Sequence, residues 1–169
     1  GIELTPVWNK SNREHQIIHT EPEDTRIAAD HAVKETKWTG NYFVDADHIN
    51  MNNVDRFIDH CNFFTIDVAD SIGKPAGKEA FAKFIKDNAK YTGELKIPGI
   101  PDSFQVSRKL LEEIAGKFLF ATQEAFKIYR HIASRRNTAE NVAAKKFRRI
   151  MRPYCRKSEM HRSFHGFRS

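Results

Sequence analysis

Asp47 and His48 close the run Tyr42-Phe-Val-Asp-Ala-Asp-His-Ile49, and Asp67 and Asp70 close Phe63-Phe-Thr-Ile-Asp-Val-Ala-Asp70. Both runs are short, apolar and rich in β-branched and aromatic residues, the composition of buried strands. A strand ending in Asp45, Asp47 and His48 sets carboxylates and an imidazole together at its C-terminal edge. In α/β folds that edge gathers ligands and catalytic side chains. An imidazole nitrogen can ligate a divalent ion while the adjacent carboxylate moves a proton. An Asp at a strand end is also a common helix N-cap, and Asn50 to Asn53 can cap the next helix unaided. Acids at the ends of two successive strands bring chemistry level with structure as an explanation.

Such side chains need elements to hold them. With 169 residues, 40% hydrophobic and 30% charged, the chain is long enough for one domain with a real core. No apolar run approaches the roughly 20 residues of a membrane span, and the N-terminus lacks a basic-then-apolar signal pattern. Cys61 and Cys155 lie far apart without zinc-site spacing, which points to reduced thiols in a cytoplasmic protein. Charge is unevenly placed. Residues 135–169 hold eleven Lys or Arg against two Glu, a net of +9, so a whole-chain charge of +6 leaves −3 on the preceding 134 residues.

Residues 1–24 show no periodicity up to Glu21 and read as an irregular segment. Thr25 to Thr36 reads as a helix capped by Asp24, with Ile27, Ala28, Ala32 and Val33 as its apolar stripe. A strand from about Asn41 to Ala46 follows Trp38-Thr-Gly40. A short helix capped by Asn52 or Asn53 then presents Val54, Phe57, Ile58 and Cys61 before a second strand, Phe63 to Val68. Gly73 to Gly77 is turn-rich, and Phe81, Phe84, Ile85 and Ala89 mark another amphipathic helix. Glu94–Ile97 and Ser103–Val106 flank Pro98-Gly-Ile-Pro-Asp102 as a small hairpin. Ser107 caps a long helix whose core stripe takes in Leu110, Leu111, Ile114, Phe118, Leu119, Phe126 and Ile132. Strands alternating with helices imply an α/β fold with a parallel sheet. Two strands cannot close a barrel, so residues 25–134 read as part of a larger α/β structure.

The wording of three stretches resembles one family. Lys37-Trp-Thr-Gly-Asn-Tyr-Phe-Val-Asp-Ala-Asp-His-Ile-Asn50, Asp55-Arg-Phe-Ile-Asp59 and Phe63-Phe-Thr-Ile-Asp-Val-Ala-Asp-Ser-Ile-Gly-Lys-Pro75 resemble the tagaturonate epimerases, metal-dependent enzymes that interconvert tagaturonate and fructuronate. The resemblance covers about residues 25–133. It implies a fragment of a TIM-barrel-like βα-repeat fold, here with a short hairpin insertion and a long helix. It implies Asp47 as proton acceptor, His48 as ligand of a divalent metal cation, and Asp45, Asp67, Asp70 and Lys74 as lining a site for a small sugar-acid substrate. Inverting a hydroxyl-bearing carbon of such a substrate goes through an enediolate or through retro-aldol cleavage and rejoining. Either route develops an oxyanion and moves protons. Lys74 is otherwise an ordinary solvated loop lysine. Family members are much longer and would draw further ligands and a proton donor from later strands, so this chain alone is expected to be inactive.

After residue 133 the resemblance stops. The basic tail, 135–169, has two readings. His161-Arg-Ser-Phe-His-Gly166 can be encoded by CAT CGA AGT TTC CAT GGA, which one base later reads Ile-Glu-Val-Ser-Met followed by an acid, the pattern of a third barrel strand. That is the mark of a shifted frame, with at most one helix at about Thr138 to Met151 before Pro153. The other reading is a genuine tail whose cations and interleaved Phe147, Tyr154, Phe164 and Phe167 bind nucleic acid non-specifically.

Overall fold

The computed structural model describes residues 4–136, which divide into two compact units. The tail readings, including the helix expected near Thr138 to Met151 and Cys155, lie outside the described residues.

The first unit takes in residues 4–67 and 128–136 and is built on three parallel strands. β1 (Val7–Ser11) leads into α1 (Asn12–Ile18) and α2 (Pro22–Glu35), and the chain returns in β2 (Phe43–Ile49) beside β1. A 3-10 turn, Val54–Arg56, carries it to β3 (Phe63–Ile66) on the far side of β2, giving the order β1-β2-β3. The strand and helix at Val7–Ile18 correct the irregular reading of that segment. β1 is invisible to periodicity because only Val7 and Trp8 of its five residues are apolar. α1 did carry a signal, the Ser11-x-x-Glu14 capping box. The Ser11 hydroxyl accepts from the Glu14 backbone N–H, and the Glu14 carboxylate accepts from the Ser11 N–H.

β2 is the central strand, and Val44, Ala46 and Ile49 are fully buried. Val54, Phe57, Ile58 and Cys61 join them in the core, as their spacing implied, although they sit on a 3-10 turn and tight turns rather than a regular helix. Each large side chain buried in this way contributes about 1.5–3 kcal/mol. Ile128 and Ile132, on the last turns of the long helix α4 (Arg108–Arg136), are buried as well. α2 begins three residues earlier than expected, with Pro22 in its first turn and Glu21 and Asp24 capping reciprocally. Its buried face is Pro22, Thr25 and Ala29, so the expected stripe is rotated, and Ile27 is exposed.

The second unit covers residues 68–127. A 3-10 turn at Ala69–Ser71 precedes α3 (Lys78–Asn88). The hairpin forms as expected but shorter, β4 (Gly93–Leu95) antiparallel to β5 (Phe104–Val106) with Glu94 opposite Gln105. The Ser107 hydroxyl accepts from the Leu110 N–H at 3.0 Å and starts α4. Ile85, Leu111 and Ala115 form the unit's small core, flanked by Phe81 and Phe84. Leu110, Ile114 and Phe118 are exposed, contrary to the stripe expected for this helix.

Candidate functional site

β2 does not run straight to its end. Ala46 pairs with Phe64 and Ile49 pairs with Ile66, so β2 carries one residue more than β3 over this interval. The excess is a bulge at Asp47 and His48, and His48 takes the left-handed backbone region with φ 52°. That region costs a non-glycine residue about 1–2 kcal/mol. Bulges of this kind bend a strand and re-aim its side chains, and they recur beside binding sites. Here the bulge turns the chain end outward: the His48 side chain is 66% exposed, while its neighbour Asp47 is 18% exposed.

The two side chains form a pair. Asp47 Oδ2 lies 2.8 Å from His48 Nδ1. The hydrogen bond and charge of Asp47 raise the His48 pKa above its ordinary value, and the charges of Asp67 and Asp45 add to this. A carboxylate on Nδ1 fixes the ring's orientation and leaves Nε2 as the working nitrogen, either for a proton or for a metal. Asp47 is thus placed to orient the ring through Nδ1, across the ring from Nε2.

The ends of all three strands collect here. Ser11, the last residue of β1, is in register with Asp47, and the Asp67 N–H, directly after β3, donates to the Ile49 carbonyl at 2.8 Å. An open cleft of about 600 Å³ lies between the bulge and α1, with Arg13, Gln16 and Ile17 on the α1 side facing Asp47 and His48. Asn53 closes one end. Its amide oxygen accepts from the Asn50 N–H and its amide nitrogen donates to the His48 carbonyl. The α1 wall is anchored by Arg56, whose guanidinium makes a two-pronged bond to Glu21 at 2.7 Å and donates to Asn12 at 2.7 Å and to the Thr20 carbonyl.

Asp45 is not part of the cleft. It is 4% exposed and takes hydrogen bonds from Asn9 Nδ2 at 2.8 Å, Thr65 Oγ1 at 2.8 Å and the Thr65 N–H at 3.1 Å. It ties β1, β2 and β3 together and, although expected to line the site, is absent from the wall of this cleft. Asp67 belongs to the same unit as the pair and acts on His48 through its charge. Asp70 and Lys74 are exposed residues of the second unit and are absent from the cleft wall. Arg13, Gln16 and Asn53 were missed in the sequence. The capping box is the signal that would have revealed α1 and, with it, the first two.

Among the described residues no group of three or more His, Cys, Asp or Glu is arranged to hold a metal ion. His48 has the free nitrogen and the carboxylate partner of a ligating imidazole, but one ligand is not a metal centre.

Parallel strands and crossover helices place this chain among α/β structures, with an acid–imidazole pair at the carboxyl edge of the sheet. No protein-family model and no curated protein matches the chain. Two crystal structures of the fructuronate-tagaturonate epimerase UxaE from Cohnella laeviribosi, one a glycerol complex and one native, are similar to it, with TM-scores of 0.55 and 0.54 and 20% identity in each case. The similarity covers 72% of this chain and 28% of that one, so the chain spans little more than a quarter of the length of the protein it matches. At such identity the likeness is one of fold.

Proposed function

We propose that this chain is a portion of a sugar-acid epimerase of the fructuronate–tagaturonate type, built on a TIM-barrel-like fold of which it holds three parallel strands. The observation that carries the reading is the bulge at the end of β2, which holds an Asp47-oriented His48 in a cleft. The fold likeness to part of the Cohnella enzyme and the Phe-Val-Asp-Ala-Asp-His wording support the same reading.

Epimerisation of a keto sugar acid needs a group that takes a proton on one face and, to invert the carbon, either a donor on the opposite face or retro-aldol cleavage with rejoining on that face, with the developing oxyanion stabilised. His48 offers Nε2 to the cleft, and Asp47 favours its protonated form. A neutral His48 takes a proton at Nε2, and Asp47 stabilises the imidazolium that results. In the alternative arrangement Asp47 itself would accept the proton, and His48 Nε2 would be the ligand that the described residues offer to a divalent cation. Such a cation would polarise the substrate carbonyl, and its other ligands would come from outside the described residues. Either way these three strand ends give half a site. Barrel enzymes draw acids and ligands from several strands, so turnover by this chain alone is not expected.

The test uses the purified chain with tagaturonate and added zinc, manganese or nickel. Binding should move the His48 ring signals saturably in an NMR titration, with no conversion to fructuronate. Turnover at an ordinary enzyme rate would refute the half-site, and ring signals indifferent to either sugar acid would refute the site. Among the described residues no helix is long and apolar enough to cross a membrane.

A further inference from the structure

The cleft beside His48 contains more than the acid–imidazole pair. Its acids are both engaged: Asp47 holds His48 at 2.8 Å, and the Glu14 carboxylate takes the Ser11 N–H and hydroxyl at 2.7 Å each. Those bonds hold the Glu14 carboxyl below its ordinary pKa, so it stays ionised and committed to the cap. Asn12 is likewise committed to Arg56, and Asn53 to the β2 end. What remains is informative. Arg13 has no acid or carbonyl partner among the described residues, Gln16 has no hydrogen bond there, and both line the cleft opposite His48. A guanidinium left unpaired in a recess that also holds an imidazole is suited to a planar carboxylate, which it can grip with two parallel N–H···O bonds.

We infer that Arg13 is the carboxylate anchor of this cleft, with Gln16 beside it hydrogen-bonding a hydroxyl, so that the ligand is a small polyhydroxylated monocarboxylate. This rests on the site proposed above and adds what selects the ligand. The anchor sets which end of the molecule faces α1 and so which carbons lie toward His48. It also explains how a cleft that includes two acids accepts an anion: the Asp47 carboxylate is set against His48, the Glu14 carboxylate stays charged but is committed to the Ser11 cap, and the Arg13 guanidinium is left to meet the ligand. A neutral ketose of the same shape has nothing for Arg13 to hold.

The inference is tested by NMR titration of the full chain and of its Arg13→Gln, Arg13→Lys and His48→Gln variants with fructuronate and with fructose as the uncharged counterpart. Arg13 is exposed and bonded to nothing described, so its variants should give the wild-type spectrum outside α1. Fructuronate should bind the wild type in preference to fructose. Arg13→Gln should weaken fructuronate by about tenfold or more, the scale of a lost charge-assisted bond, and leave fructose unchanged. Arg13→Lys should recover part of the loss. Fructuronate binding that perturbs His48 equally in wild type and Arg13→Gln overturns the anchor and leaves the site standing. Binding that never perturbs His48, or no binding to the wild type, overturns both.

Discussion

Two histidines of the first unit are set in opposite senses by their surroundings. Asp47 raises the pKa of His48, so His48 contributes stability that is fully present below its ordinary value of 6.5 and is lost as pH rises through the higher folded value. His15 is buried against Phe57, with ring centroids 5.7 Å apart, and its Nδ1 meets the Thr20 hydroxyl at 2.9 Å. Burial, and then the charges of Lys10 and Arg56, lower its pKa, so its contribution is present above 6.5 and is lost as pH falls toward the folded value. Following the ring protons through pH should give a His48 midpoint above 6.5 that drops in Asp47→Asn, and a His15 midpoint below 6.5. A His48 midpoint unmoved by Asp47→Asn would remove the electrostatic basis of the pair. The two acids two residues apart in β2 should also part company under mutation. Asp45→Ala strands Asn9 and the Thr65 N–H and should cost about 2–3 kcal/mol in urea unfolding. Asp47→Ala, near the surface, should cost well under about 1 kcal/mol.

At the scale of elements, the packing predicts where the first unit is fragile. Phe57→Ala empties a fully buried site beneath the sheet and should cost about 3–5 kcal/mol. Arg56→Lys keeps the charge but loses the fork that grips Glu21, Asn12 and Thr20. It should slacken the α1 wall, visible as faster amide exchange over Asn12–Ile18 with little change at β2. Exchange unchanged at α1 would show that the wall does not depend on this anchor. The elements differ in how far the sequence disclosed them. β2 and β3 were legible because Phe43-Val-Asp-Ala and Phe63-Phe-Thr-Ile are strand-like in composition, and β2 is buried. The bulge was not, because one extra residue leaves no compositional mark. In α4 the rows Leu110, Ile114, Phe118 and Leu111, Ala115, Leu119 are one residue apart, and both are apolar. Periodicity cannot choose between adjacent rows; only the neighbouring side chains decide which one is buried.

For the whole molecule, the first two cations counted with the basic tail, Arg135 and Arg136, belong to α4. Arg136 is still helical, donates to the Cys61 carbonyl and stacks over the Phe64 ring, and His131 meets Asp55 at 2.6 Å. Ending the chain after Arg136 should therefore leave the melting temperature unchanged or higher, whereas ending it after Ser134 should lower it. Residues 137–169 carry a net +7 by the same count, nine Lys or Arg against two Glu. Equal losses from both truncations would show that the basic segment is structural. Cys61 offers an independent readout of folding. Its thiol is buried and pushed up to about 11, so it should resist alkylation at neutral pH in a Cys155→Ser background until the core opens.

His48 stands under two demands that no single residue meets best. Its backbone geometry is the one glycine adopts freely and asparagine tolerates, while the cleft calls for an imidazole. A library randomised at this codon should therefore sort differently under different screens. Survival of heat or protease would enrich Gly and Asn, and retention of sugar-acid binding would enrich His. Divergence between those two winners would measure, at one position, how far this chain has been held away from its most durable sequence.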